Sequence, residues 1–368
     1  MQKKEWTVLI YAASNNDLEA TLYREFQSIK AVNLSDNINI VIQLSRSPQQ
    51  ELLKNHKISS EDWHGTRRYL IQNKDAVLLD DLGKVNMADP NTFLDFLIAG
   101  SSSFPSEYLM IILSGHSMGF VGIMLDSFEN NVSLMSIQGF TRALSLFKER
   151  TKKEIDILFS DTCYMNLIEV LYEIAMASDG VVKYFILFQG NPPLESLPWS
   201  MIVNRFNLDK KYTKNLNNLV CDIVMSVNKK CSKDYSLFAI YLIKDYFLQL
   251  KTLINQLAEF ILEGNHPAKN TLSRSCCNQK NSALVNLLNL FNILDESLYE
   301  VIQLRLNIFK ILNKIVLSPS LKEIKNNESL GLCMYFPENP KQYFQFQNYY
   351  DPLLFCSHNR WLKILQKQ

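Results

Sequence analysis

No stretch of this chain is apolar for long enough to cross a bilayer. Its opening residues, Met1-Gln-Lys-Lys-Glu-Trp6, run directly into a strand-like segment without the hydrophobic core of a secretion signal, so the sequence as written predicts a cytoplasmic protein, or a secreted one if a leader has been removed. Glycine and proline are scarce, 11 of each in 368 residues, which argues against long disordered linkers. Charge of one sign is also missing. The 38 lysines and arginines nearly cancel 37 aspartates and glutamates, so no global field draws the protein to nucleic acid or to an anionic membrane, and neither is expected as a partner. No C-x-x-C, H-E-x-x-H or EF-hand spacing and no phosphate-binding glycine loop occurs. No metal or cofactor is therefore expected, and a dependence on calcium cannot be read from the residues. The seven cysteines are odd in number, include the adjacent pair Cys276 and Cys277, and follow no disulfide framework, which predicts reduced, mostly buried thiols.

What is present is an alternation. Residues 6–11, 38–44, 108–113, 155–159 and 184–188 are short β-branched or aromatic runs with little polar alternation, as strands covered on both faces require. Between them, residues 17–31, 92–99, 136–149 and 166–176 carry apolar side chains at helical spacing, while 66–79 reads as a hairpin. This predicts an α/β fold around a mostly parallel sheet, with its active face at the C-terminal strand ends. Further on, 215–227, 246–263 and 281–317 look helical, 235–242 looks like a strand, and 331–336 reads as a closing strand stopped by Pro337. With 47% apolar residues, the length suits one large domain with an appended subdomain or two domains, and the pattern divides it into an α/β domain over 1–242 and a mainly helical C-terminal subdomain over 243–368, packed on it and returning one strand near 331–336.

Two strand ends bear reactive side chains. The run 108–113 ends in Ser114-Gly115-His116, and the run 155–159 ends in Ser160-Asp161-Thr162-Cys163, just before a helical pattern. An imidazole that takes a thiol proton, and helix N–H groups that stabilise the anion, are what a thiolate nucleophile needs. A serine competes for the same place. Gly115-His116-Ser117-Met118-Gly119 fits the G-x-S-x-G elbow of α/β-hydrolases, with Ser117 attacking, Asp161 or a later acid supporting, and His266 or His358 as base. Against it, residues 120–126 carry glycine and β-branched side chains where the elbow needs a helix, and no HGGG-type loop is present. Of the other histidines, His64 precedes an apolar run instead of ending one, and His56 has no partner signal.

With these residues in view, the chain resembles the clostripain family of cysteine peptidases, of the caspase-like clan, over nearly its whole length. The similarity is carried by 6–11 followed by Asn15-Asn16-Asp17-Leu18-Glu19, by 82–90 with Phe96, and by 108–116. It continues through Asp161-Thr-Cys163-Tyr-Met165 with Glu169, Tyr172 and Glu173, and through 331–337 with Trp361. The resemblance implies a caspase-like αβα sandwich, a His116–Cys163 dyad and a thioester acyl-enzyme. It also implies an oxyanion hole from the backbone N–H groups of Cys163 and Ser117, and cleavage after arginine or lysine with Asp161 receiving the P1 cation. A carboxylate is the natural partner for that guanidinium or ammonium; the bland alternative is that Asp161 caps the following helix. The expected partner is a peptide or protein with Arg or Lys at P1, bound by a monomer.

Three departures from the family pattern fall near the expected cleft. Ser117 stands where the family has glycine after the histidine, Gln189-Gly190 replaces Ser-Glu after the fifth strand, and Pro198 replaces the glycine before Trp199. Gln189, Glu195 and Trp199 are the substrate-binding candidates there, with Glu195 a substitute pocket acid. These changes keep open a catalytically weak, peptide-binding descendant. Residues 126–133 contain no lysine or arginine, which predicts a single uncleaved chain where family members self-cleave between histidine and cysteine.

Overall fold

The computed structural model describes residues 2–47, 63–72, 74–128, 131–193, 197–207, 215–230, 236–263, 283–295, 297–317 and 331–367. Its centre is a nine-stranded sheet. Strands β1 (Lys4–Ala12), β2 (Ile38–Arg46), β3 (Gly65–Gln72), β4 (Asp75–Gly83), β5 (Ser106–Ser114), β6 (Ile123–Phe128), β7 (Asn131–Met135), β8 (Ile155–Asp161), β9 (Val182–Phe188), β10 (Leu237–Tyr241), β11 (Leu284–Asn286), β12 (Val316–Leu317) and β13 (Cys333–Tyr335) follow one another along the chain. In space the large sheet runs β12-β10-β9-β8-β5-β1-β2-β3-β4, and β9 through β2 are mutually parallel.

The unbroken apolar runs have a simple cause. In β1, Val8, Ile10 and Ala12 enter one core while Leu9 and Tyr11 enter the other, so alternate side chains face opposite layers and both are dry. The first layer packs α1 (Glu19–Lys30) with later helices. The second packs α2 (Pro90–Ser103), α3 (Ile137–Thr151) and α4 (Ile168–Met176). Starts are encoded locally: Asp89 caps α2 with Pro90 in its first turn, and the Ser136 side chain accepts the Gly139 N–H at the start of α3. Past β9 come α5 (Trp199–Asn204), α6 (Leu216–Lys230), α7 (Lys244–Leu262), α8 (Tyr299–Ile315), α9 (Pro340–Tyr350), α10 (Leu354–His358) and α11 (Trp361–Lys367). Helices α5 and α6 join the layer of α1, whereas α7, α8 and the closing segment extend the core of α2–α4.

The C-terminal region differs from its sequence pattern in two places. The span 281–317 is not one helix: β11, a 3-10 turn (Leu287–Ile293), α8 and β12 share it. Asn286 accepts the Leu288 N–H at 3.0 Å and Asp295 accepts the Ser297 N–H at 2.9 Å, so local side-chain bonds draw these backbones out of a helical path. The closing strand forms as β13, but it pairs with β11, and the strand returned to the large sheet is β12. The reduced-thiol expectation is also corrected. Cys163, Cys221 and Cys356 are free, but Cys333 is disulfide-bonded.

Two acids of α4 tie the last helices to the core. Glu169 Oε1 accepts the Tyr335 N–H at 2.8 Å and the Tyr350 hydroxyl at 2.9 Å, and Glu173 Oε1 accepts the Phe355 N–H at 2.8 Å. Burial pushes each carboxyl up to about 7. A folded-state value above the unfolded one means that the native protein holds extra protons between about 4.5 and 7. The associated stability is present at the acid end and lost as pH rises through that window. Denaturant titrations should therefore show the protein losing stability from pH 5 to pH 8, by on the order of 2 kcal/mol for Glu169 alone. In Glu169→Gln, which keeps the acceptor oxygen but cannot ionise, that loss should shrink; an unchanged pH dependence would sink the assignment.

Candidate active site

The two reactive side chains leave neighbouring parallel strands at the same level. Ser114 pairs with Asp161 in register, and the Gly115 N–H reaches the Asp161 carbonyl at 3.4 Å, so His116 and Cys163 each follow two residues beyond a matched pair. Adjacent strands lie about 4.8 Å apart. Both residues are half-buried.

Cys163 lies in a turn and not at a helix start. Tyr164 adopts left-handed φ of 56°, and α4 begins only at Ile168, after Leu167 as N-cap. The Cys163 turn is instead held from both sides. The Tyr164 N–H donates to the Gly190 carbonyl at 3.0 Å, the Asn166 side chain to the Gly331 carbonyl at 2.6 Å, and the Cys333 N–H to the Asn166 carbonyl at 3.0 Å. Burial first, and the Asp161 charge second, push the Cys163 thiol up to about 11. Both causes favour the protonated thiol over the helix-stabilised anion expected from the sequence.

Asp161 ends β8 and is 4% exposed. Its Oδ2 accepts the Ser114 hydroxyl at 3.0 Å and the Leu197 N–H at 3.3 Å. The Trp199 indole N–H reaches the same Ser114 oxygen at 3.2 Å, and the Trp199 backbone N–H donates to Glu25 at 3.0 Å. The capping alternative for Asp161 is set aside, because α4 starts well downstream. Trp199 is fully buried and is linked to this carboxylate through the Ser114 hydroxyl. Gln189 sits at the end of β9, its N–H bonded to the Ser236 carbonyl at 2.7 Å and its side chain packed on Gly331. Glu195 lies outside the described residues.

Ser117 faces inward. Its hydroxyl donates to the Gly122 carbonyl at 3.2 Å and accepts the Gly119 N–H at 3.1 Å, at 5% exposure. Gly119 (φ 60°) and Gly122 (φ 154°) take the positive angles of this loop, while Ser117 is not among the positive-φ residues, so serine in place of glycine costs no backbone strain. The serine elbow has further difficulties. A 3-10 turn (Gly119–Val121) and strand β6 follow where a helix is needed. The His358 ring is bonded to Tyr172 at 2.7 Å, and His266 lies outside the described residues.

One contact was not read from the sequence as a site feature: His116 Nε2 lies 2.6 Å from Asp17 Oδ1. Asp17 stood in the sequence only as part of the opening Asn-Asn-Asp turn, and that run was the available signal. A separate cleft of about 390 Å³ between α7 and α8, lined by Glu259, Glu263 and Glu300 among others, contains none of these residues. Among the described residues, no cluster could hold a metal ion, and no helix is long and apolar enough to cross a membrane.

The model of the clostripain family, peptidase C11, matches residues 10–367. The chain belongs to that family. It is a cysteine protease of the clostripain type, and peptides are its substrates. No curated protein matches it by sequence. Its fold is similar to that of an inactive zymogen C11 protease from Parabacteroides distasonis, with 16% identity, a TM-score of 0.68, and coverage of 97% of this chain and 99% of that one. A secreted C11 cysteine protease from Bacteroides thetaiotaomicron, iotapain, is similar at 14% identity and a TM-score of 0.66, covering 97% and 99%. A secreted C11 protease from the same organism, solved with an irreversible peptide inhibitor, gives 14% identity and a TM-score of 0.64, covering 94% and 98%. At these identities the structures establish the αβα fold of this clostripain-family chain.

Proposed function

We propose that this clostripain-family protein is an endopeptidase cutting after arginine or lysine, with Cys163 as nucleophile and His116 as general base and acid. The observation that carries the reading is the register of Ser114 with Asp161, from which thiol, imidazole and buried carboxylate project at one sheet edge. Cys163 Sγ attacks the scissile carbonyl carbon as its proton passes to His116. The oxyanion is received by the N–H groups of Cys163 and Ser117. Collapse breaks the C–N bond, His116 protonates the leaving amine, and a thioester remains. Water, deprotonated by His116, then attacks the thioester and releases the new carboxylate and the thiol. Asp161 receives the P1 cation in place of its Ser114 and Leu197 donors, with Trp199 bonded to the same Ser114 hydroxyl and Gln189 next to the Gly190 carbonyl that holds the Cys163 turn.

Fluorogenic peptides ending in arginine, lysine or citrulline test the specificity. Citrulline keeps the shape of arginine without its charge. Turnover of the two cationic peptides with at least about 100-fold preference over citrulline is expected, since a buried carboxylate left without its cation costs several kcal/mol. Equal turnover of the three would remove Asp161 from recognition. On the same peptides Ser117→Ala should keep activity within about threefold, because Ser117 would contribute its backbone N–H and not its hydroxyl.

A further inference from the structure

We propose that Asp17 is a positioning residue for the His116 imidazole: it engages ring Nε2 and leaves Nδ1 to exchange protons with Cys163 and the leaving amine. The inference rests on the dyad reading above. An ionised carboxylate has no proton to donate, so at 2.6 Å the hydrogen in the Asp17–His116 bond belongs to Nε2. A neutral ring protonated there carries its lone pair on Nδ1, and when that nitrogen takes a proton the carboxylate faces the resulting cation.

The surrounding turn is built to present Asp17. Asn16 donates from its side-chain nitrogen to the Ala13 carbonyl at 3.1 Å and the Leu125 carbonyl at 2.8 Å, and its side-chain oxygen accepts the Leu18 N–H at 2.9 Å. Asn15 donates to buried Asp126 at 2.9 Å while its carbonyl accepts the Ser127 N–H at 3.1 Å. The two asparagines thus fasten the exit of β1 to β6, and the Leu125 N–H returns to the His116 carbonyl at 3.4 Å, closing the connection onto the histidine loop itself. With both amides spent on these tethers, the third side chain of the run reaches the ring. The pair is in contact with solvent, the Asp17 side chain being 77% and that of His116 33% exposed. Its leverage is therefore smaller than that of a buried triad acid.

The test uses Asp17→Ala and Asp17→Glu in the full chain. Kinetically, Asp17→Ala should lower kcat about tenfold with KM within about twofold, and Asp17→Glu should recover most of the loss. Spectroscopically, the wild type should show a downfield Nε2 proton at low temperature, assigned to His116 by its loss in His116→Ala, and Asp17→Ala should abolish it. Unchanged turnover in Asp17→Ala overturns the proposal, as does an unchanged Nε2 proton or a rise in KM with a lowered melting temperature. If wild type cleaves no cationic peptide, the dyad reading has failed on its own account. The Nε2 proton then decides the Asp17 contact by itself, its loss in Asp17→Ala supporting it and its persistence refuting it.

Discussion

Cys163→Ala is expected to lower kcat/KM toward arginine- and lysine-ending peptides by at least about 10⁴-fold, and His116→Ala by nearly as much. The size follows from the resting state. With the thiol held near 11 by burial and by the Asp161 charge, an unassisted sulfur would be almost wholly protonated at neutral pH. In the proposed dyad the base that removes this proton and the sulfur that attacks would act as one unit, so losing either should disable both. The double variant should accordingly be little worse than the worse single one, since groups that act together show strongly non-additive losses. The measurement is initial-rate hydrolysis for the four proteins, with far-UV circular dichroism to establish that each is folded. Turnover by Cys163→Ala comparable to wild type would remove the thiol from the chemistry, and additive losses would remove the coupling.

What could be read from the sequence depended on how local each determinant is. The five parallel strands were legible because a strand dry on both faces is largely apolar along its length, as in residues 40–42 and 108–113. The β3–β4 hairpin was legible as a break in that rhythm. Helix 281–317 was misread because the apolar spacing of residues 284–293 is shared by a short strand and a 3-10 turn. The single bonds from Asn286 and Asp295 that decide between them leave little trace in periodicity. At the site, His116 and Cys163 were visible because each ends an apolar run. Asp17 was not, because its bond to His116 spans 99 residues and depends on how two asparagines tether the turn. Glu169 and Glu173 belonged to a recognisable motif, but only the structure gives them a bracing role against β13 and α9–α10.

Asp161→Asn should move two observables in opposite directions. Toward an arginine- or lysine-ending peptide, kcat/KM should fall about 10³-fold, because the substrate cation enters a buried position that no longer offers an anion. Toward a small neutral electrophile such as iodoacetamide, Cys163 should react faster at a given pH near neutrality. The Asp161 charge is one of the two causes that hold the thiol proton on, and the amide removes it while keeping the acceptor oxygen used by Ser114 and Leu197. The proposed function therefore gives the same carboxylate two roles: it would attract the P1 cation, and until that cation arrives it would suppress the nucleophile. Binding of arginine or lysine would cancel the charge and lower the barrier to ionising the thiol, so that recognition and activation become one event. Stopped alkylation of wild type and Asp161→Asn across pH, read by mass at Cys163, measures the second role separately from the first. If the variant alkylates no faster than wild type, the carboxylate acts in recognition alone; if it still prefers arginine to citrulline, it does not act in recognition at all.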